Sequence, residues 1–286
     1  MKIKKNFSNI SYKYSNLKNS NIVIIPVPYD YTQTWKKGAK YGPNAFFNAS
    51  NYIELYDIET DYEVYKKGIF VTPYIKTNSN SSEEMVKKVY YITKKFLSKK
   101  KFITLIGGDH SISIGSIRAF GEKYSDISIL HMDAHADLRP IYNGNPYNHA
   151  CSMHEASKKH SLIQVGIRSM DIIEKNFIQK KNILYMHNIF NCNNDSWIDD
   201  IINKLSYNVF ISIDIDVFDP SIAPATGTPE PGGLDWYTSL KLFKNVFNIK
   251  NVVGFDIVEL LPHKNEFRTD FLAVKLFYKL LSYKFY

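Results

Sequence analysis

Short runs of β-branched and other apolar residues alternate along the chain with longer amphipathic segments. The apolar runs are nearly continuous, which is typical of parallel strands covered on both faces. Six strands are predicted, at residues 22–27, 102–106, 127–132, 162–167, 209–215 and 252–257. The alternation of strands with helical segments predicts one α/β domain, spanning residues 1–286, with a parallel sheet.

The clearest helix is predicted over about residues 82–99, where Ser81 and Glu84 form the pattern of a capping box. Its apolar positions share one face opposite a row of lysines: Met85, Val89, Ile92 and Phe96. Further helices are predicted at residues 235–247 and 270–281. The polar stretch 77–82 is expected to be a surface loop rather than a domain boundary.

Composition narrows the class of protein. The chain has 286 residues, of which 44% are hydrophobic and 22% charged, and this excludes a disordered chain, a collagen and a small disulfide scaffold. The net charge of +8 comes mostly from scattered lysines. There are only four arginines, at positions 118, 139, 168 and 268, and no basic stripe or nucleic-acid-binding motif. We therefore expect a lysine-rich solvated surface and no nucleic-acid partner.

Cysteine usage and hydropathy indicate the compartment. Cys151 and Cys192 stand alone without a CxxC pair, which fits a reducing environment. The N-terminal twenty residues are too polar for a signal peptide. No segment approaches the roughly 18 apolar residues that a membrane helix needs. A cytoplasmic protein without a membrane partner is expected.

Four polar motifs follow predicted strands, where open parallel sheets bind their ligands. They are GGDHS at 107–111, HMDAHAD at 131–137, DIDVFDP at 214–220 and DIVE at 256–259. A DxD pair after a strand can equally cap a turn, and GGDH can equally form a tight turn before a helix. The motifs become informative because all of them occur together, each after a strand.

The segment HMDAHAD carries the strongest signal. If its backbone stays extended, Asp133, His135 and Asp137 leave on one face of the strand. Two carboxylates and an imidazole crowded together are badly desolvated unless a cation lies among them. Asp214 and Asp216 repeat the pattern, and His110 adds a second imidazole. Oxygen and imidazole ligands without thiolate suit Mn²⁺ and, less exclusively, Fe²⁺, Co²⁺ or Zn²⁺, and bridging carboxylates can hold two ions.

These motifs, with PVPYD at 26–30 and GAKYGPNA at 38–45, resemble the ureohydrolases, the arginase and agmatinase family, over nearly the whole chain. The resemblance implies a three-layer α/β/α fold with a central, mostly parallel sheet and two Mn²⁺ ions per subunit. It implies one ion bound by His110, Asp133, Asp137 and Asp214, and another bound by Asp133, His135, Asp214 and Asp216. His131 is not a ligand in the family and is expected to lie in the strand or just outside the ligand set.

The resemblance also implies catalytic roles. Hydroxide formed from a water shared by the ions attacks the guanidinium carbon, and Asp137 passes its proton to the leaving amine. Glu259 falls where the family's guanidinium-binding glutamate lies, although it could instead cap the loop before Pro262. His149, in YNHACSM, matches a loop histidine that shuttles protons and contacts substrate. Cys151 is interpreted as a packing residue, and His154 and His160 as residues of a helix surface.

The substrate is interpreted from the loops. The Glu-Pro pair in GTPEPGG at 227–233 and the His-Ala-Cys at 149–151 are similar to agmatinases, which favours hydrolysis of agmatine to putrescine and urea in polyamine biosynthesis. Asp171 and Glu230 are weak candidates for lining a cleft that attracts this dication. Arg139 could clamp a carboxylate, which would favour guanidinobutyrate, or could form a supporting ion pair. The family often has two arginines after Met153, where this chain has His and Glu.

Other functions stay open at this point. Aminopropylagmatine or arginine could be the substrate, because specificity for the tail depends on loop shape. A metal-dependent deacetylase-type amidohydrolase on the same fold is a second class, although the two-metal ligand set argues against it. A catalytically silent scaffold is a third class. The resemblance weakly implies a homo-oligomer, either a trimer or a hexamer.

Overall fold

The protein is described here by a computed structural model that covers residues 6–76, 81–192 and 194–286. Eight strands form one sheet in the order β2-β1-β3-β8-β7-β4-β5-β6, and every neighbouring pair is parallel. The strands are β1 (Ile22–Val27), β2 (Ile69–Val71), β3 (Phe102–Gly107), β4 (Ser128–Met132), β5 (Ser161–Ile167), β6 (Ile183–Tyr185), β7 (Asn208–Asp214) and β8 (Asn251–Val258). The six predicted strands are confirmed, and the two missed strands are three-residue edges.

Helices connect the strands and cover the sheet. They are α1 (Tyr12–Ser15), α2 (Gly42–Ser50), α3 (Ser82–Leu97), α4 (Ser113–Lys123), α5 (His154–Lys159), α6 (Met186–Phe190), α7 (Ser196–Lys204), α8 (Trp236–Ile249) and α9 (Arg268–Phe285). The three predicted helices correspond to α3, α8 and α9. Within the described ranges, none of these helices combines the length and the apolar character that crossing a bilayer requires.

Alternate side chains of each central strand enter two separate cores. In β1, Ile22 and Ile24 pack on one face of the sheet, whereas Val23 and Ile25 pack on the other. The first core is closed by α2, α7, α8 and α9, and the second by α3, α4 and α5. This arrangement confirms the three-layer α/β/α fold.

Helix α3 begins as the sequence predicts, but with half of the expected capping box. The Glu84 backbone N–H donates to the Ser81 hydroxyl at 3.1 Å. The Glu84 carboxylate lies 2.7 Å from Lys88 Nζ, because a lysine one turn ahead is a better partner for an exposed carboxylate. Most of the loop expected at 77–82 lies outside the described residues.

The parallel sheet brings the four polar motifs to one edge. Strands β3, β8, β7 and β4 are neighbours in the sheet, and each is followed by one of the motifs. The turn after β3 passes so close to the preceding loop that a Cβ on Gly108 would lie 1.8 Å from the Tyr29 carbonyl oxygen. Only glycine fits there, and the close approach fixes the path that leads to His110.

An ion cluster far from this edge ties the segment before β2 to α9. Lys279 Nζ lies 2.9 Å from Asp57 Oδ2 and 2.8 Å from Glu59 Oε2. Burial alone would raise the pKa of Glu59, but hydrogen bonds from Lys279, Lys244 and Tyr283 outweigh it and hold that pKa at about 2. The same lysine lowers the pKa of Asp57 against the effect of burial.

Replacing Lys279 with methionine is expected to lower the free energy of unfolding at neutral pH by about 2 kcal/mol, between the values for exposed and buried pairs. The pKa values of these carboxylates are depressed in the folded state. The stabilisation is therefore complete at pH values above the carboxylate pKa of the unfolded chain, and it is lost as the pH falls through the carboxylate pKa of the folded chain. The deficit should therefore shrink on acidification, as measured by urea unfolding at pH 7 and pH 3.5. Lys275→Met on the same helix is the control, and an equal deficit at both pH values would contradict the assignment.

Candidate metal centre

The Nδ1 atom of His110 faces three buried carboxylates. It lies 3.1 Å from Asp133 Oδ2, 3.4 Å from Asp137 Oδ2 and 3.2 Å from Asp214 Oδ2. Although fully buried, this nitrogen makes no hydrogen bond with any described residue. Buried polar atoms are rarely left without a partner, so the position calls for one.

The contacts of the other ring nitrogen of His110, Nε2, show which of the two nitrogens carries the proton. His110 Nε2 lies 3.0 Å from the Ser212 hydroxyl oxygen, and that hydroxyl donates to Asp256 Oδ1 at 2.7 Å. Since the serine proton points to Asp256, Ser212 accepts a hydrogen from Nε2. Nδ1 is therefore left with a lone pair directed at three carboxylate oxygens, which is the arrangement of a cation ligand.

A second cluster shares Asp133 with the first. His135 Nδ1 lies 3.0 Å from Asp216 Oδ2 and 3.6 Å from Asp133 Oδ1. Backbone N–H groups hold these carboxylates in place, since Ala134 donates to Asp216 Oδ1 and Asp216 donates to Asp214 Oδ1, both at 3.0 Å. All six predicted metal-ligating side chains thus converge, with Asp133 between the two groups.

The charges of the cluster do not balance on their own. Burial raises the pKa of Asp137 to about 8, and the negative charge of Asp133 adds to the rise. Burial and the charges of Asp216 and Asp133 also raise the pKa of Asp214. Divalent cations would remove this conflict, and four carboxylates with two imidazoles and no thiolate are ligands that Mn²⁺ accepts. The residues present fit a metal centre.

The carboxylates converge by a different backbone path from the one expected. Strand β4 ends at Met132, and Asp137 adopts a left-handed φ of 54°. The condition of an extended backbone from Asp133 to Asp137 is therefore not met. The Asp133 N–H still pairs with the Val165 carbonyl in the sheet, whereas the His135 N–H turns back and donates to Asp133 Oδ1 at 2.6 Å. The Ser152 hydroxyl then holds Asp137 Oδ2 at 2.8 Å.

His131 lies behind the ligands, as expected. Its Nε2 is 2.8 Å from Asp133 Oδ2, close enough for His131 to be grouped with the ligands by distance alone. The Gln164 amide nitrogen, oriented by a 2.8 Å bond to the Ala136 carbonyl, lies 2.9 Å from His131 Nδ1. Because this amide can only donate, Nδ1 accepts and Nε2 carries the hydrogen. His131 therefore donates to Asp133 and has no lone pair for a cation.

Glu259 lies in the wall of a cavity of about 300 Å³ that also exposes the ligand clusters. It follows β8 with a left-handed φ of 62°, an uncommon conformation that is typical of functional sites. Its Oε1 accepts the His110 backbone N–H at 2.8 Å, and its Oε2 accepts from the Gln33 amide at 2.6 Å. The side chain thus points to the clusters rather than capping the loop before Pro262.

His149 lies in the same cavity wall. Burial lowers the pKa of its imidazole to about 4, so the ring is neutral near neutral pH. Its backbone N–H donates to the Thr32 hydroxyl oxygen at 3.0 Å, and Nδ1 lies 3.3 Å from the same oxygen. Cys151 is a buried free cysteine, which is consistent with a packing role.

The cavity mouth carries both acidic and basic side chains, among them Asp171, Glu174, Arg139 and Lys36. The Arg139 guanidinium stacks 4.4 Å from the Tyr142 ring centroid and lies 3.3 Å from Asp171 and 3.9 Å from Glu174. Asp171 also caps the short helical turn that contains Glu174. Glu230 lies 3.6 Å from His135 Nε2. Arg139 is therefore already engaged by carboxylates of the protein.

Two histidines differ from the expectation of a helix surface. His154 is half-buried, with Nδ1 at 2.8 Å from the Leu138 carbonyl oxygen and its ring 4.6 Å from the Phe177 centroid. His160 is also half-buried, and its ring occupies the space beside Gly121. Both rings are partly covered by neighbouring residues. The short helix α5 lies against the second core, so the side chains at its two ends are also packed.

Several residues that support the site were not given a role from the sequence. Arg168 donates to the backbone carbonyls of Asp216 at 2.6 Å and Glu230 at 2.8 Å, which ties the loop after β7 to β5. Ser212, Asp256 and Gln164 are polar residues inside otherwise apolar strands. That placement is the one available signal, since a buried polar side chain needs a partner.

A sequence model of the arginase family matches residues 20–282. The chain belongs to the arginase family. It is 34% identical to an N(1)-aminopropylagmatine ureohydrolase of Synechocystis sp., with 92% of this chain and 88% of the relative covered. It is 31% identical to an agmatinase of Pyrococcus horikoshii, with 93% of each chain covered.

The solved structures show the same arginase-family fold. The agmatine ureohydrolase of Thermoplasma volcanium superimposes with a TM-score of 0.88 at 27% identity, covering 99% of this chain and 95% of that chain. This arginase-family chain is therefore a ureohydrolase, a hydrolase that acts on guanidino compounds.

Adding saturating Mn²⁺ to the metal-free protein is expected to raise its Tm by about 5 °C. A ligand at 100 times its Kd adds about 2.7 kcal/mol to folding stability, and a chain of this size gains roughly 2 °C per kcal/mol. Asp133→Asn should lose most of this shift, because it removes a charge shared by both clusters. Asp126→Asn, an exposed carboxylate at the far end of the sheet, is the matched control. A full Mn²⁺ shift in Asp133→Asn would contradict the shared position of Asp133.

Proposed function

We propose that this arginase-family enzyme uses two Mn²⁺ ions to hydrolyse the guanidinium group of agmatine, giving urea and putrescine. One ion would be held by His110, Asp133, Asp137 and Asp214, and the other by Asp133, His135, Asp214 and Asp216. The proposal depends most on Glu259, a buried carboxylate that lies in one cavity with both clusters. The matched family segment and the single sheet support one catalytic domain over the whole chain.

Glu259 is suited to bind a planar guanidinium. Each of its oxygens already accepts one hydrogen bond, from His110 N or from Gln33 Nε2, and these bonds fix the plane of the carboxylate. A carboxylate oxygen can accept a further hydrogen bond on its second lone pair. Paired N–H donors of a guanidinium match this geometry, so Glu259 would orient the substrate carbon toward the clusters.

Asp137 and His149 would be the groups that move protons. Divalent cations held by the two clusters would supply a water of lowered pKa, which would attack the guanidinium carbon as the nucleophile. Asp137, fixed by the Ser152 hydroxyl, would take the proton of that water and give it to the leaving nitrogen as the C–N bond breaks. His149, which lines the same cavity, would exchange protons with the same nitrogen. The products are urea and a primary amine.

The pairing of Arg139 disfavours a substrate tail that carries a carboxylate. Asp171 and Glu174 line the cavity and both pair with Arg139, while Lys36 also lines it and Glu230 lies beside His135. A substrate carboxylate would have to break those pairs, which disfavours arginine and guanidinobutyrate. Aminopropylagmatine is the second candidate, because the Synechocystis relative is named for that substrate. The tails of agmatine and aminopropylagmatine carry amines and no carboxylate, whereas arginine carries an α-amine and an α-carboxylate.

Urea release from Mn²⁺-loaded protein tests the function directly. We expect urea from agmatine or aminopropylagmatine, with kcat/KM lower by about 10- to 100-fold for guanidinobutyrate and arginine. The panel should include guanidinopropionate. If no guanidino compound yields urea, the proposed function is wrong. If guanidinobutyrate reacts as well as agmatine, only the assignment of the cationic tail is wrong.

Asp137→Asn serves as the control for the chemistry. The variant should still bind metal, measured by elemental analysis, yet release no urea, because the amide cannot accept a proton. Retained turnover would remove Asp137 from the proton transfer.

A further inference from the structure

Thr32 lies between His149 and a buried carboxylate that the reaction has not used. The Thr32 hydroxyl is 2.9 Å from Asp109 Oδ2, and the Thr32 backbone N–H donates to the same oxygen at 3.0 Å. On its other side the hydroxyl oxygen meets His149 twice, at the backbone nitrogen and at Nδ1. Thr32 and Asp109 are both buried. A chain of polar atoms thus runs from Asp109 through Thr32 to the imidazole.

The hydrogen positions in this chain follow from its backbone donors. Both oxygens of Asp109 accept a backbone N–H, Oδ2 from Thr32 and Oδ1 from Ser111 at 3.2 Å. Asp109 Oδ2 is the nearer acceptor, at 2.9 Å against 3.3 Å for His149 Nδ1, so the Thr32 hydroxyl donates its hydrogen to Asp109. The hydroxyl oxygen can then only accept, both from the His149 backbone N–H and from His149 Nδ1. Nδ1 must therefore carry the hydrogen.

We propose that Thr32 is a positioning residue that holds His149 in its Nδ1-protonated form, so that Nε2 keeps the lone pair in the cavity. This inference rests on the proposed function, in which His149 exchanges protons with the leaving nitrogen. Nε2 makes no hydrogen bond to the described residues, and the ring lines the cavity beside Glu259. When Nε2 accepts a proton, Nδ1 already carries its hydrogen and keeps its bond to the Thr32 oxygen, so the ring stays in place.

Thr32→Val tests this role because it replaces the hydroxyl with a methyl group of similar volume and keeps the backbone N–H. We expect kcat for urea release to fall by about 10- to 100-fold, the usual effect of removing a group that orients a site residue. KM and metal content should stay unchanged, because Glu259 and the clusters do not use the hydroxyl. Thr32→Ser, which restores the hydroxyl, should recover most of kcat.

Thr93→Val is the matched control. Thr93 is buried in α3 and its hydroxyl makes no hydrogen bond among the described residues, so the same chemical change should leave kcat unaltered. A Thr32→Val variant with full kcat overturns the proposal. So does a variant that loses metal or raises KM in proportion to its loss of kcat, because that pattern shows a structural role only.

A second measurement separates this inference from the proposed function. Nitrogen NMR of the histidine-labelled full chain, loaded with diamagnetic Zn²⁺, reports which ring nitrogen of His149 carries hydrogen, and His149→Gln identifies the signal. We expect the hydrogen on Nδ1 in the wild type, Thr32→Ser and Thr93→Val, and on Nε2 in Thr32→Val. Hydrogen on Nε2 in the wild type overturns the role of Thr32. Absence of urea release from the wild type with every guanidino compound refutes the proposed function instead, whichever nitrogen is protonated.

Discussion

Four carboxylates and two imidazoles share a buried space at the ends of neighbouring parallel strands, and the rest of the site is arranged around that crowding. Repulsion and lost hydration would drive such groups apart or protonate them, as the raised pKa of Asp137 shows. The sheet prevents separation because β3, β7 and β4 deliver them to one place. Divalent cations among the carboxylates would allow the arrangement to remain both buried and ionised.

The surrounding structure holds the clustered side chains in place, mostly through hydrogen bonds from neutral groups. Backbone N–H groups satisfy the carboxylate oxygens that point away from the clusters, as with Ala134 on Asp216 and Asp216 on Asp214. A hydroxyl and a distant carboxylate fix the hydrogen of His110, and an amide fixes that of His131. Left-handed backbone at Asp137 and Glu259 turns both carboxylates inward. Such conformations persist where neighbouring contacts determine them fully.

The sequence carries the central part of this picture because central strands of a parallel sheet are continuously apolar and their ends are abruptly charged. That contrast allowed prediction of β3, β4, β7 and β8 and of the six converging ligands. The edge strands β2 and β6 have three residues each and gave no periodic signal. Helix α4 was not predicted either, and it contains two glycines in eleven residues, which favour a helix poorly. Thr32, Gln164 and Ser212 could not be assigned roles, because their partners are far away in sequence and a lone threonine or glutamine has no distinctive pattern. The left-handed turn at Asp137 was likewise invisible to a periodicity argument.

The central claim is that paired divalent cations lie among these carboxylates, with Asp133 between them. Anomalous scattering at the manganese edge from crystals grown with Mn²⁺ tests it most directly. The account predicts two peaks roughly 3.5–4 Å apart, one beside His110 and one beside His135. A map without peaks there, or with a single peak that leaves His135 and Asp216 uncoordinated, would contradict it.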